Sequence, residues 1–153
     1  MTTKTTKHAD EPTALTVIAD SSGLVSLVNP QDSNHQRAVR SQAWQKSMQG
    51  AILVPDAVFT ETINVLGKKM GHGVALAVAE RILTSDAFVV AESADEIRAR
   101  AVALFRIQPG SVSLTDCVVM AYAERYEATT IFGFDEVFAR NGYQLPEPLA
   151  EAA

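Results

Sequence analysis

A chain of 153 residues with 47% hydrophobic content is sized for one globular domain, burying about two-thirds of its unfolded surface. One cysteine, Cys117, excludes an internal disulfide and a thiolate zinc cluster and suits a reducing cytosol, while His8, His35 and His72 share no ligand spacing. A formal charge of −5 speaks against a broad nucleic-acid-binding surface but leaves room for a local basic rim, and no apolar run approaches the roughly 20 residues of a membrane span.

In chain order, residues 1–14 are polar and aperiodic and read as a disordered leader; a domain follows over 15–146, and 147–153 form a loose tail. Residues 15–19 make a short apolar strand that stops at Asp20, after which Ser21 or Ser22 caps a helix reaching Val28. Asp32 or Ser33 caps a second helix, 34–48, with Val39, Ala43 and Trp44 on its apolar side and Arg37, Arg40 and Lys46 facing out. A buried strand over 51–54 leads into a helix from Asp56 to about Met70, where Glu61 stacks with Ala57, Val58 and Val65 and is expected on an inward face. A helix over 74–83 and a strand over 87–90 follow. Ser93 and Glu96 then match a capping box ahead of a helix whose Ile97, Ala101, Leu104 and Phe105 recur at helical spacing.

The next helix opens at Ser113. Asp116 completes a second capping-box spacing there, yet it shares a stripe with the apolar residues Val119, Met120 and Ala123, so it is expected to point along the inward face. A strand over 129–132 ends at Gly133-Phe134-Asp135. A short helix over 136–141, Gly142 as its C-terminal cap and a last strand over 143–145 close the domain. Alternating strands and helices with near-continuous apolar strands predict an α/β three-layer sandwich, its central sheet mainly parallel and flanked by helices.

In such sheets ligands gather beyond the carboxyl ends of the strands. Asp20 and Asp135 stand at strand ends, and Asp116 and Glu61 lie on helices that pack on the same sheet. Carboxylates brought together repel unless a cation bridges them, and an oxygen-only set without His or Cys suits a hard ion, Mg2+ or Mn2+. Such ions serve phosphodiester hydrolysis, in which water is the nucleophile and no side-chain nucleophile is required. Cys117 is expected to be a small buried residue.

Four stretches carry a family likeness: 18–22 around Asp20, 58–66 around Glu61, 113–116 ending in Asp116, and 131–138 around Asp135. In order and spacing they resemble the four acidic motifs of PIN-domain ribonucleases, and most of all the VapC toxins of bacterial toxin–antitoxin pairs. The resemblance implies a PIN fold and an Mg2+- or Mn2+-dependent endoribonuclease with Asp20, Glu61, Asp116 and Asp135 as catalytic, metal-binding acids. It further implies an RNA substrate, a cognate antitoxin, a homodimer and a cytoplasmic location. Ser22 fills the family's hydroxyl position after the first acid and is assigned a supporting role. Gly133 departs from the family's Thr or Ser two places before the fourth acid. Arg37, Arg40, Lys68 and Lys69 are candidate contacts to the substrate backbone. Two alternatives stay open: another Mg2+-dependent phosphate hydrolase of the haloacid-dehalogenase type, for which Asp20 would be the nucleophile, and a PIN-like module that only binds RNA or protein.

Overall fold

The computed structural model describes residues 16–148; the expected leader, Leu15 and the last five residues of the tail lie outside the described residues. Four short strands form the sheet: β1 (Val17–Ala19), β2 (Ile52–Pro55), β3 (Phe88–Ala91) and β4 (Ile131–Phe132). Their order is β3-β2-β1-β4 and every pairing is parallel. Val17 pairs with Ile52, Ile18 with both Leu53 and Ile131, and Ala19 with Phe132. The two central strands are apolar on both faces and buried throughout, which is why their sequences run as unbroken Val, Ile and Leu rather than alternating. Complete burial of a residue such as Ile18 or Ile131 stabilises the sheet by roughly 1.5–3 kcal/mol each.

Seven helices connect the strands: α1 (Ser21–Val28), α2 (His35–Ser47), α3 (Asp56–Met70), α4 (His72–Thr84), α5 (Asp95–Ile107), α6 (Leu114–Arg125) and α7 (Glu136–Arg140). Helices α1 to α4 lie along the chain's path from β1 to β3, and α5 and α6, which pack on each other, carry it back to β4 beside β1. The strand order therefore reverses between β1 and β4. That switch point is where a doubly wound sheet opens a crevice at its carboxyl edge, and Asp20 and Asp135 are the acids that follow those two strands.

The core confirms the expected α/β architecture and the expected character of α6, whose Cys117 and Val119 to Ala123 are all buried in a helix packed on α5, β1 and β2. A smaller cluster of Val25, Leu66 and Ala75 joins α1, α3 and α4.

Several local expectations are corrected. On α2 the buried residues are Ala38, Ser41 and Gln45, whereas Val39 and Ala43 face solvent. Polar residues can occupy the inner side because specific partners satisfy them: the Ser41 hydroxyl donates to the Pro146 carbonyl. No capping box forms at Ser93; Ala94 is the N-cap without a side-chain bond, and Phe105 is 47% exposed while Ile97, Ala101 and Leu104 are buried. The last strand shrinks to one parallel bridge between Thr130 and Gln144. Glu147, the last residue but one of those described, is ion-paired with Arg37 at 2.7 Å.

Candidate metal centre

Each acid reaches the carboxyl edge of the sheet by its own local route. Asp20 follows β1 directly and is the N-cap of α1, its Oδ2 accepting from the Ser22 amide at 3.1 Å. Its own N–H donates to the Phe132 carbonyl at 3.0 Å, which extends the β1–β4 pairing by one residue and fixes the backbone under the carboxyl. Asp116 sits in the first turn of α6, where the predicted capping box is present. Ser113 Oγ accepts from the Asp116 amide at 3.1 Å and Asp116 Oδ2 accepts from the Ser113 amide at 3.0 Å. The box thus employs one carboxylate oxygen and leaves the other. Asp135 is the N-cap of α7 but makes no side-chain cap bond, so its carboxyl is not engaged at its own helix.

These three acids come together. Each offers a carboxylate oxygen within 4.8 Å of the others, with Asp20 buried, Asp116 half-buried and Asp135 reaching solvent. The grouping forms a funnel, deepest at Asp20 and open at Asp135. Among the described residues no ion pair touches any of the three; the basic side chains that are paired hold Glu147, Asp95, Glu124 and Glu136 instead.

Like charges in that space have a visible consequence. Loss of water pushes the Asp20 carboxyl up to about 7; the neighbouring Asp135 and Asp116 charges add to this, while its bonds to Ser22 work the other way. Asp135 is raised as well, first by loss of water and then by Asp116, offset by a hydrogen bond with Asp20. A protonated Asp20 can donate to Asp135, so a proton takes the bridging place that a cation could take. The donor set, three converging hard oxygens and no nitrogen or sulfur ligand, fits Mg2+ or Mn2+. Cys117, beside Asp116, is buried and its thiol is raised by that burial, as expected of a packing residue rather than a nucleophile.

Glu61 does not join the group. It is exposed on α3 and supplies none of the three converging oxygens, because the stripe that packs inward is Val58, Thr62 and Leu66, and Glu61 lies about 100° around the helix from Thr62. Glu136 has the ordinary first-turn place, paired with Arg140 at 2.6 Å. Of the basic candidates, Arg37 stands nearest the site: its guanidinium lies 6.0 Å from the centroid of the Phe134 ring, next to Asp135, and it is held by Glu147. Arg40 is exposed one turn further along α2. Lys68 and Lys69 are exposed in the last turn of α3, roughly 18 Å along the helix from its start near the site, where they complement the helix dipole.

Two features were not readable in the sequence. Gly133 lies against the site: a Cβ there would stand 2.8 Å from Asp20 Cβ and 3.2 Å from Ser22 Oγ. Gly23 lets α1 press on β4, since a Cβ there would stand 2.1 Å from the Phe132 oxygen. A cavity of about 660 Å3 lies elsewhere. It runs between α1, α2, α4 and β3, is lined by Leu24, Leu27, Val28, Val74, Val78 and Phe88 among others, and contains none of the three acids.

A parallel sheet that brings three acids to its switch point, where among the described residues no basic side chain pairs them, defines an α/β domain with an acidic cluster that could hold a metal ion. The PIN-domain family profile matches residues 17–142, and the chain belongs to that family. Its structure is similar to that of VapC20 of Mycobacterium tuberculosis, a sarcin–ricin-loop-cleaving toxin, with a TM-score of 0.76 and 25% sequence identity over 86% of this chain and 99% of that one. No curated protein matches the chain by sequence. Family and structural match together make it a VapC-like PIN-domain ribonuclease, and they leave the haloacid-dehalogenase reading without support. Among the described residues no helix is long and apolar enough to cross a membrane.

Proposed function

We propose that the chain is an Mg2+- or Mn2+-dependent endoribonuclease with Asp20, Asp116 and Asp135 as its metal ligands, and that it is the toxin of a toxin–antitoxin pair. The observation that carries this reading is the convergence of three carboxylates, from three separate elements, none of them ion-paired among the described residues. A divalent cation bound there supplies charge neutralisation at the phosphate and lowers the pKa of an adjacent water.

The chain's own residues do the rest. Asp20, the deepest, would anchor the ion, and Asp116 would add an oxygen whose direction its capping box sets. Asp135, at the open end, orients water and the substrate phosphate. Arg37 is the phosphate contact we favour, with Arg40 behind it. Lys68 and Lys69 are at most remote contacts, and Glu61, exposed on α3, lies outside the three converging oxygens. An antitoxin partner, a homodimer and a cytoplasmic setting follow from the similarity to VapC toxins and complete the reading. The binding-module alternative loses ground because none of the three acids is missing.

The test is cleavage of labelled RNAs by the purified chain with Mg2+, Mn2+ or chelator, with Asp116→Asn alongside. A sarcin–ricin-loop hairpin is the first substrate to try, since the similar toxin cleaves that loop. Cutting that requires the ion and falls at least about 100-fold in the variant is expected, given the size of a lost electrostatic contact at a reacting centre. A folded wild type that cuts nothing across a panel of structured RNAs would return the chain to the binding-module reading.

A further inference from the structure

An aromatic ring stands next to the open acid. Phe134 precedes Asp135, the acid that reaches solvent, by one residue or about 3.8 Å of chain. Its backbone is fixed, since its N–H donates to Ser22 Oγ at 2.9 Å. The ring is half-buried and packs against the main core, and the guanidinium of Arg37 lies over it, 6.0 Å from the centroid. Glu147 holds that guanidinium in place, accepting from it at 2.7 and 3.4 Å.

The spacing is wide for a guanidinium resting on a ring. Flat groups in contact lie about 3.5 Å apart, so a third flat group held between these two needs about 7 Å. The observed 6.0 Å is closer to that second distance, and the Arg37 side chain, long and 51% exposed, can lift by the remaining ångström or so. The fold gains little from the arrangement, because an ion pair this exposed adds little to stability. The other arginine–aromatic contact is of a different kind. Arg125 lies over Tyr126 at 5.4 Å, but the Tyr126 ring already stacks on Tyr122, and it stands just past the end of α6, roughly 15 Å along the helix from Asp116.

We propose that Phe134 is a stacking platform for an unpaired RNA base beside the cleaved phosphate, with Arg37 as its cover. The inference rests on the ribonuclease reading above and deepens it, since it names the form of RNA that the site takes. Unpaired bases stack on aromatic rings and on guanidinium planes, whereas bases within a duplex are stacked on one another and offer only their edges. A guanidinium covers a base with its plane and donates from its edge, so Arg37 can lie over the base while its donors pass from Glu147 to a phosphate. Stacking also suits a chain of net charge −5, because it gives affinity that does not depend on a basic surface.

The experiment is equilibrium binding of a labelled single-stranded RNA, and of the duplex of the same sequence, in Mg2+ over a range of salt concentrations. The full chain carries Asp116→Asn throughout, to slow cutting, and is compared with the same chain bearing Phe134→Leu or Phe134→Tyr, with thermal melts in parallel. Phe134→Leu, which keeps apolar bulk on the core, is expected to weaken single-strand binding about 5- to 100-fold, the worth of one stacked base, with the slope of log affinity against log salt unchanged. Phe134→Tyr is expected within about threefold of the parent, and both variants should bind the duplex as the parent does. Equal single-strand affinity in the parent and Phe134→Leu, an equal loss on single strand and duplex, or an equal loss in Phe134→Tyr and Phe134→Leu would overturn the inference alone. A Phe134→Leu chain without a cooperative melt would assign the ring to the fold and also overturn it. A parent chain that binds neither RNA at the lowest salt would instead overturn RNA as the substrate, and the inference with it.

Discussion

Asp116 and Asp20 arrive at one centre by opposite means. Asp116 is held by its own helix: a cap residue three positions earlier gives and receives the two hydrogen bonds that set its first turn, and the buried stripe behind it tethers the helix to the sheet. Asp20 is held by the far end of the chain. The carbonyl of Phe132, the space left by Gly133 and the amide of Phe134 acting through Ser22 all come from the β4–α7 connection. A carboxylate supported locally can stand at the margin of the site, in contact with water. One supported across the sheet is buried, and its ionisation costs the fold. The pair shows that an acidic centre need not strain all its members equally, since the burden of burial falls mainly on the acid at the bottom of the funnel.

That contrast is broken most strongly at Asp20. Its carboxyl is raised from 3.8 to about 7, so the folded chain holds a proton there that the unfolded chain has released. The sign follows: in the cation-free protein, stability is lost as pH rises from about 4 through about 7, because over that window the native state binds more protons than the unfolded one. Asp20→Asn keeps an acceptor for Ser22 and removes the charge. Its advantage over wild type without divalent ions should be larger at pH 8 than at pH 5 by on the order of 2 kcal/mol. Urea unfolding at the two pH values measures this. Wild-type stability that climbs from pH 5 to pH 8 would show that burial does not weigh on Asp20 as the geometry implies. The same variant should lose Mn2+ binding, the usual exchange of stability for function at a strained site.

Ser113→Ala examines the local half. The alanine retains the backbone N–H that holds Asp116 Oδ2 and removes only the hydroxyl that accepts the Asp116 amide. A loss of about 1 kcal/mol is expected, the usual worth of a helix cap. It should appear as a lower midpoint in urea with an unchanged slope, while the Asp116 carboxyl keeps its place and Mn2+ affinity stays nearly constant.

The division between local and distant support also decides how much of the molecule could be read in advance. The capping box at Ser113, the buried face of α6, the apolar strands and the stop at Asp20 are encoded within a few residues, and each stands where expected. Helical spacing misled where a face is satisfied by something distant. Glu61 keeps its expected spacing to Val58, but α3 packs through Thr62 and Leu66 and leaves the acid outside. Ser41 and Gln45 lie inward on α2, Ser41 meeting the chain's last segment at Pro146. Gly133 looks in sequence like the loss of a hydroxyl. Only the packing of β4 beside β1 reveals what a side chain there would strike.

Arg37 extends the comparison to the rim, where support is distant but solvated. Glu147 accepts from its guanidinium at 2.7 and 3.4 Å, and both side chains are substantially exposed, so the pair adds little to stability. Glu147→Gln should therefore change unfolding free energy by less than about 0.5 kcal/mol. Its consequence belongs to binding instead. The guanidinium sits by the ring of Phe134, the residue before the open acid Asp135, so a carboxylate that occupies it competes with a substrate phosphate for the same donors. Glu147→Gln is expected to tighten RNA binding modestly, and Arg37→Gln to weaken it and reduce the slope of log affinity against log salt by about 1. An unchanged slope in Arg37→Gln would remove Arg37 from the phosphate path and leave its contact with Glu147 as a tie between α2 and the chain's last segment.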